Sequence, residues 1–340
     1  MREPSKPTLD TLGAFDRRNF LAGSAATVGG LALFGLSACG QESGGGVKQG
    51  AQNQQAVTHL DEIISPAAFH IAEQEGFFKQ AKVNVESISF PGGADVIRAV
   101  QTKMPFGLGA PVATMIASGK GFPDARIIGG MFNSSEILFM VPTDSPIKRP
   151  EDLAGKKIGV SEPGSNTTYF GNLIIDKFKL DGAKINYVGG PADAMVAAEQ
   201  GVVDVGWASP PFSTQLEEEG KARVLLDTRD LEPYWSTVVL VSKRKVLEQD
   251  KETVANWIGA LNKAVDLLQN DVDRAGKDWA KGIDIDPKIA TKALREYQDA
   301  FTLTLDQKTL DAAVRAGKSL DQIEGDVDFD TLIDDQTKNA

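Results

Sequence analysis

Between residues 57 and 240 the chain alternates short apolar runs with stretches of helical periodicity, and it does so twice. Strands spaced in this way are joined by crossover helices and lie mostly parallel, so the pattern commits the sequence to an α/β fold. In the first pass the spacing predicts strands over Val57–Ile64, Val83–Phe90, Phe106–Gly109 and Arg126–Met131. Helices are expected over Ala67–Gln74, Ala94–Thr102 and Val112–Ser118. After Ile137–Val141 the pattern restarts, with strands at Lys157–Ser161, Ile185–Val188, Val203–Trp207 and Arg223–Leu226. Helices at Asn166–Phe178, Ala192–Glu199 and Pro211–Glu219 separate them. Two lobes of related architecture follow, each a doubly wound mixed sheet.

The final hundred residues change character. Ser236–Ser242 is apolar and β-branched, a strand that returns the chain to the first lobe. Beyond it Val254, Trp257, Ile258, Leu261, Val265 and Leu268 fall at spacings of three and four and form one apolar helical stripe. Asp273–Lys281, Pro287–Tyr297 and Asp306–Gln322 continue as helices, all expected to pack on the first lobe. The chain thus crosses between lobes twice, near Glu136–Val141 and Ser236–Ser242, and two crossings make a hinge that small backbone rotations can close. The expected organisation is residues 57–138 with 240–325 as lobe 1, 139–239 as lobe 2, and a loosely held acidic tail over 326–340.

The N-terminal segment fixes an address. Arg17 and Arg18 precede a mildly apolar run, Phe20–Ala38, that contains four glycines and ends in Leu36-Ser37-Ala38-Cys39. Paired arginines, a weak apolar middle and a small-residue cleavage zone describe a twin-arginine export signal over residues 1–38. The last four residues resemble a lipobox, which makes Cys39 the lipidated mature N-terminus and a membrane anchor. Residues 39–56, rich in Gly and Gln, read as a flexible tether. The protein is expected outside the cytoplasm, on the outer face of the cytoplasmic membrane.

Charge and composition narrow the function. The formal charge is −11, and removal of a signal with four basic and three acidic residues makes it −12. No Lys/Arg block appears, which argues against nucleic acid as a partner. The single cysteine is the lipobox Cys39, so disulfides, thiolate zinc sites and a catalytic thiol are excluded. The only histidines, His59 and His70, have no metal-ligand spacing, and no metal or cofactor is expected.

In open α/β sheets ligands lie beyond the carboxyl ends of the strands, against helix N-termini, where unpaired N–H groups and partial positive charge suit a carboxylate or sulfonate. That rule selects Ser65-Pro66, Gly92-Gly93, the turn ending at Pro111, Asn133-Ser134-Ser135, Glu162–Thr167 and Trp207-Ala208-Ser209. Glycine, serine and proline occur at such turns for capping alone, so composition does not separate contact from local structure.

Specific phrases go further. Ser145-Pro146-Ile147 followed by Asp152-Leu153-Ala154-Gly155-Lys156-Lys157-Ile158-Gly159-Val160 resembles a segment of the substrate-binding proteins of ABC importers, in the nitrate/sulfonate/taurine branch. Pro191-Ala192-Asp193-Ala194, Gly201-Val202-Val203-Asp204, Pro210-Pro211-Phe212 and Gly76-Phe77-Phe78 are similar to further segments of that family, in order. The chain is similar as well to binders of pyrimidine precursors. The resemblance implies a two-lobed periplasmic-binding-protein fold of type II, its mixed sheets joined by two crossover segments. It implies a monomer that holds a small-molecule ligand and works with a permease and its ATPase, without catalysis. The pocket positions so implied are Ser65, Pro66, Gly92, Gly93, Pro111, Ser134, Gly164, Ser165, Asn166, Thr167, Trp207 and Ser209. An organic anion is the favoured ligand. Glu162, Asp95 and Glu136 sit close to these loops, and carboxylates facing the cleft would instead favour a cationic or hydrogen-bonding heterocycle. A pyrimidine-precursor synthase is the enzymatic alternative, although the cysteine-rich motif of such enzymes is missing. A ligand sensor for a membrane partner is the third reading.

Overall fold

The computed structural model describes residues 54–58, 63–90 and 93–339. Arg17, Arg18, Cys39, most of the tether and Gly92 lie outside the described residues. β1 (Gln54–Thr58) leads to α1 (Ala67–Gln74), α2 (Phe77–Gln80), β2 (Val85–Ser89), α3 (Gly93–Thr102), β3 (Phe106–Gly109), α4 (Pro111–Lys120) and β4 (Ala125–Phe132). A second group runs β5 (Leu138–Pro142), β6 (Lys157–Val160), α5 (Asn166–Phe178), β7 (Lys184–Tyr187), α6 (Pro191–Glu199), β8 (Gly206–Ala208), α7 (Phe212–Glu218) and β9 (Ala222–Asp227). After β10 (Val238–Lys243) come α8 (Arg244–Gln249), α9 (Lys251–Asn270), α10 (Val272–Ile283), α11 (Pro287–Glu296), α12 (Gln307–Ser319) and the short α13 (Phe329–Leu332).

The first sheet has the order β2-β1-β3-β10-β4. β1 runs parallel to β2 and β3, while β10 is antiparallel to both β3 and β4. β1 takes in the last three residues of the expected tether, because Gln54, Gln55 and Ala56 pair with Val85, Glu86 and Ser87. Backbone pairing of this kind needs no apolar side chain, so hydropathy does not announce it. The second group forms β8-β5-β9 and the parallel pair β6-β7. Ile158 bridges Val205 just ahead of β8, and the Gly159 N–H donates to the Val205 carbonyl at 2.8 Å, which joins the two pieces.

Two segments cross between the sheets, residues 133–137 and 228–237, and they are laced together. The Thr228 hydroxyl donates to the Ser135 Oγ at 2.6 Å and to the Ile137 carbonyl at 2.7 Å. Thr237 Oγ1 donates to the Ser134 carbonyl at 3.0 Å. These polar contacts tie the two segments side by side, next to the packed side chains of Ile137 and Trp235.

Each sheet has its own core. α9 lays Val254, Trp257, Ile258, Leu261, Val265 and Leu268 on the first sheet, with Trp257 stacked on Phe106 at 4.4 Å between ring centroids. In the second core Trp235 stacks on Tyr169, packs against Phe170, and is 1% exposed.

Two expectations about the C-terminal third are corrected. α12 does not belong to the first lobe alone: Ala312 and Ala316 enter the core under the second sheet, whereas Leu310 and Ala313 enter the core beneath β4 and β10. A helix with small apolar residues on two faces can wedge between two bodies, and periodicity alone does not say which surfaces receive those faces. The tail after Gly325 is docked rather than loose. Leu332 is 1% exposed, Ile333 forms a parallel bridge with Ile127, and the Asp334 N–H donates to the Ile127 carbonyl at 2.9 Å. β4 is an edge strand, and the tail covers that edge. The acidic residues between Val327, Phe329, Leu332 and Ile333 hide this from composition. Leu332→Ala should therefore destabilise the protein by about 2–4 kcal/mol, read as a lowered urea midpoint at unchanged slope. No effect would return the tail to the loose category.

β4 also meets backbone closely further along the same edge. A Cβ at Gly130 would fall 2.5 Å from the Thr304 carbonyl oxygen, and the Gly130 N–H donates to Leu303 at 2.8 Å. Only glycine fits that approach.

Candidate functional site

A cavity of about 640 Å³ lies where the ends of both sheets meet the crossing segments. Four helices present their N-termini to it: α3 through Gly93 and Ala94, α4 through Ala110 and Val112, α5 through Ser165, Asn166 and Thr167, and α6 through Gly190 and Pro191. Each is preceded by a strand whose carboxyl end feeds the turn, so the parallel topology aims four helix dipoles at one place. Ser165 caps α5, its Oγ accepting from the Thr168 N–H at 3.2 Å. The N-cap residues of α4 and α6, Ala110 and Gly190, carry no side chain that could do the same. Their first-turn N–H groups therefore keep hydrogen-bonding capacity for water or a ligand.

On one side the wall is a hydroxyl cluster. Ser161 Oγ donates to Ser165 Oγ at 2.9 Å and lies 2.7 Å from Thr167 Oγ1. Trp207 forms a flat panel, its indole N–H donating to the Gly189 carbonyl at 3.2 Å. Ile97, Val112, Ile116 and Leu320 supply an apolar side. Gln322, just past α12, donates its amide to the Gly164 carbonyl at 2.9 Å. Gly164 has φ +77°, and a Cβ there would strike the Gln322 amide.

Three charged residues face the cavity: Arg98, Glu136 and Glu162. Arg98 lies on α3 and pairs with Asp95 at 3.3 Å in an exposed contact, and Asp95 itself is off the wall. Glu136 is unlike the others. It sits on the first crossing segment, is 2% exposed, and accepts a hydrogen bond from Ser65 Oγ at 3.2 Å on Oε1. Among the described residues no group hydrogen-bonds its Oε2, because the nearby Thr237 hydroxyl gives its hydrogen to the Ser134 carbonyl at 3.0 Å. Burial pushes its carboxyl up to about 8, against smaller opposing contributions from the Ser65 and Thr237 hydroxyls. A group so placed is neutral at pH 7 and ready to ionise when a partner arrives.

The positions expected from sequence divide. Gly93, Gly164, Ser165, Asn166, Thr167, Trp207 and Ser209 lie on the cavity wall. Ser65 and Pro66 do not; both are buried, and Ser65 stands behind Glu136 as its hydrogen-bond donor. Pro111 is buried in the first turn of α4, between wall residues Ala110 and Val112. Ser134 is off the wall and donates to the Ser135 carbonyl at 3.1 Å. The turn Gly189-Gly190-Pro191 was missed, although it has the same strand-to-helix chemistry as the turns selected. Thr237 and Gln322 carry no local signal, since only the crossing and α12 bring them here. No histidine, cysteine or lysine lines the cavity among the described residues, and no cluster of potential metal ligands occurs among them.

Comparison with known proteins gives this arrangement its setting. The NMT1/THI5-like family model matches residues 65–275. The chain belongs to this family. A putative aliphatic sulfonates-binding protein of Bacillus subtilis (strain 168) is 24% identical over 276 residues, covering 78% of this chain and 80% of that protein. The alkanesulfonate-binding protein SsuA from Xanthomonas axonopodis pv. citri, solved bound to MOPS, superposes with a TM-score of 0.67 at 19% identity, covering 84% of this chain and 99% of that one. The desulfurization enzyme DszB, solved as a mutant in complex with biphenyl-2-sulfinic acid, shares the fold at a TM-score of 0.66 and 17% identity, over 84% and 98% of the two chains. The fold of this NMT1/THI5-like protein is thus the two-lobed periplasmic-binding-protein fold.

Proposed function

We propose that this NMT1/THI5-like protein is an extracytoplasmic binding lipoprotein that captures a small organic solute between two lobes and delivers it to an ABC permease and its ATPase. The observation that carries the reading is the convergence of four helix N-termini, two of them without a side-chain cap, on one cavity beside a double crossing. Such a site suits a sulfonate or carboxylate head group. The sulfonate-binding relatives point the same way. Lobe boundaries fall at residues 133–137 and 228–237, with α12 shared between the lobes. Lipidated Cys39 and the tether keep the monomer near its transporter.

The likeness to DszB leaves an enzyme on the same fold as the second reading. The chain's single cysteine is Cys39, and among the described residues no cysteine lines the cavity to act as a thiol nucleophile.

Small-angle scattering and thermal unfolding against a panel of organic sulfonates and carboxylates test the proposal. One compound should compact the protein, and at a hundredfold excess over Kd it should stabilise by about 2.7 kcal/mol, with the compound unchanged afterwards. Turnover of the compound, or no stabilisation by any member of either class, would reject the binding role.

A further inference from the structure

Four helix N-termini suit an anion, yet the carboxyl group of Glu136 lies at the same wall. An ordinary anion site has no use for a buried acid in its lining. Glu136 is 2% exposed, is held by Ser65 on Oε1, and offers Oε2 with no hydrogen-bond partner among the described residues. Burying a polar atom unpaired costs on the order of 1–3 kcal/mol, and such atoms in native proteins call for an explanation. The position adds to the case: Glu136 sits on a crossing segment, where a ligand contact touches the hinge itself.

Resting on the binding reading above, we infer that Glu136 is a ligand-recognising residue, and that the solute carries a hydrogen-bond-donating nitrogen as well as an acidic head group. The head group takes the helix N-termini of α4 and α6, and an ammonium, amidine or ring N–H meets the free oxygen of Glu136. A cationic nitrogen draws the carboxyl into its ionised form and gives Oε2 its missing donor, in a dry environment where a charge-assisted hydrogen bond is strong. Glu162 and Arg98 are the other charged groups facing the cavity. Arg98 is exposed and already paired with Asp95, so it does not compete for Glu136.

Matched pairs that differ only in the nitrogen test this. Titration calorimetry of the wild type should show 3-aminopropanesulfonate binding at least tenfold tighter than propanesulfonate, or 4-aminobutanoate at least tenfold tighter than butanoate. In Glu136→Gln the advantage should fall below threefold. Equal binding of both members of a pair, or discrimination that survives Glu136→Gln, overturns the role of Glu136 and leaves the binding function standing. If no member of either pair binds at millimolar concentration, this inference is overturned, whereas the binding function fails only if the wider panel of anions fails with it.

Discussion

Glu136→Gln should be more stable than the wild type at pH 8, by roughly 3–4 kcal/mol, and close to equal at pH 4. Burial raises the Glu136 carboxyl from its ordinary 4.5 to about 8. The native state therefore keeps a proton that the unfolded chain has already lost between these values. Stability attached to this group is fully present below about 4.5 and drains away as pH rises through about 8, because folding must hold a carboxyl neutral that water would ionise. Glutamine keeps the shape and can accept from Ser65, but it does not titrate. Asp278, raised by burial to about 6, shifts stability in the same direction and is present in both proteins, so it cancels in the difference. Urea unfolding at half-unit steps from pH 4 to pH 8.5 reads the gap directly. A gap that stays constant with pH would mean that Glu136 is ionised in the native protein. The expected combination, higher stability with lost ligand discrimination, is the usual trade at a binding site that stores unfavourable burial.

The second large effect lies in the first core. Trp257→Ala should cost about 3–5 kcal/mol, enough to unfold a large fraction of the protein at moderate urea. Trp257 is fully buried, stacks on Phe106 with the rings 6° from parallel, and packs among α9 residues that cover the first sheet. Its indole N–H has no hydrogen-bond partner among the described residues. Trp257→Phe should accordingly lose much less, because it keeps the stacking partner and discards an unsatisfied donor. If the two variants are equally destabilised, the stacked pair is not what Trp257 contributes.

The alternation of strands and helices was legible because burial of one face imposes a period that side chains must obey. Ala67–Gln74, Phe106–Gly109 and Asn166–Phe178 fall on the expected residues without adjustment. Strand ends were less visible where pairing relies on backbone groups, as at Gln54–Ala56. The turns at Gly93, Gly164–Thr167 and Ser209 were visible as well, since a strand-to-helix connection needs caps and small residues wherever it occurs.

By itself the sequence determined the fold class, the two passes and most of the loops that could meet a ligand. These depend on local propensity and on patterns within some twenty residues. Only the tertiary structure decided that α12 wedges between two cores, that the tail closes the edge of β4, and that Gln322 reaches Gly164 from 158 residues away. It also decided the character of Glu136. An acid between Ser135 and Ile137 looks like any other in a chain with 47 acidic residues. Its neutral form and free oxygen come from desolvation, and desolvation is a property of everything packed around a group rather than of its neighbours in the chain.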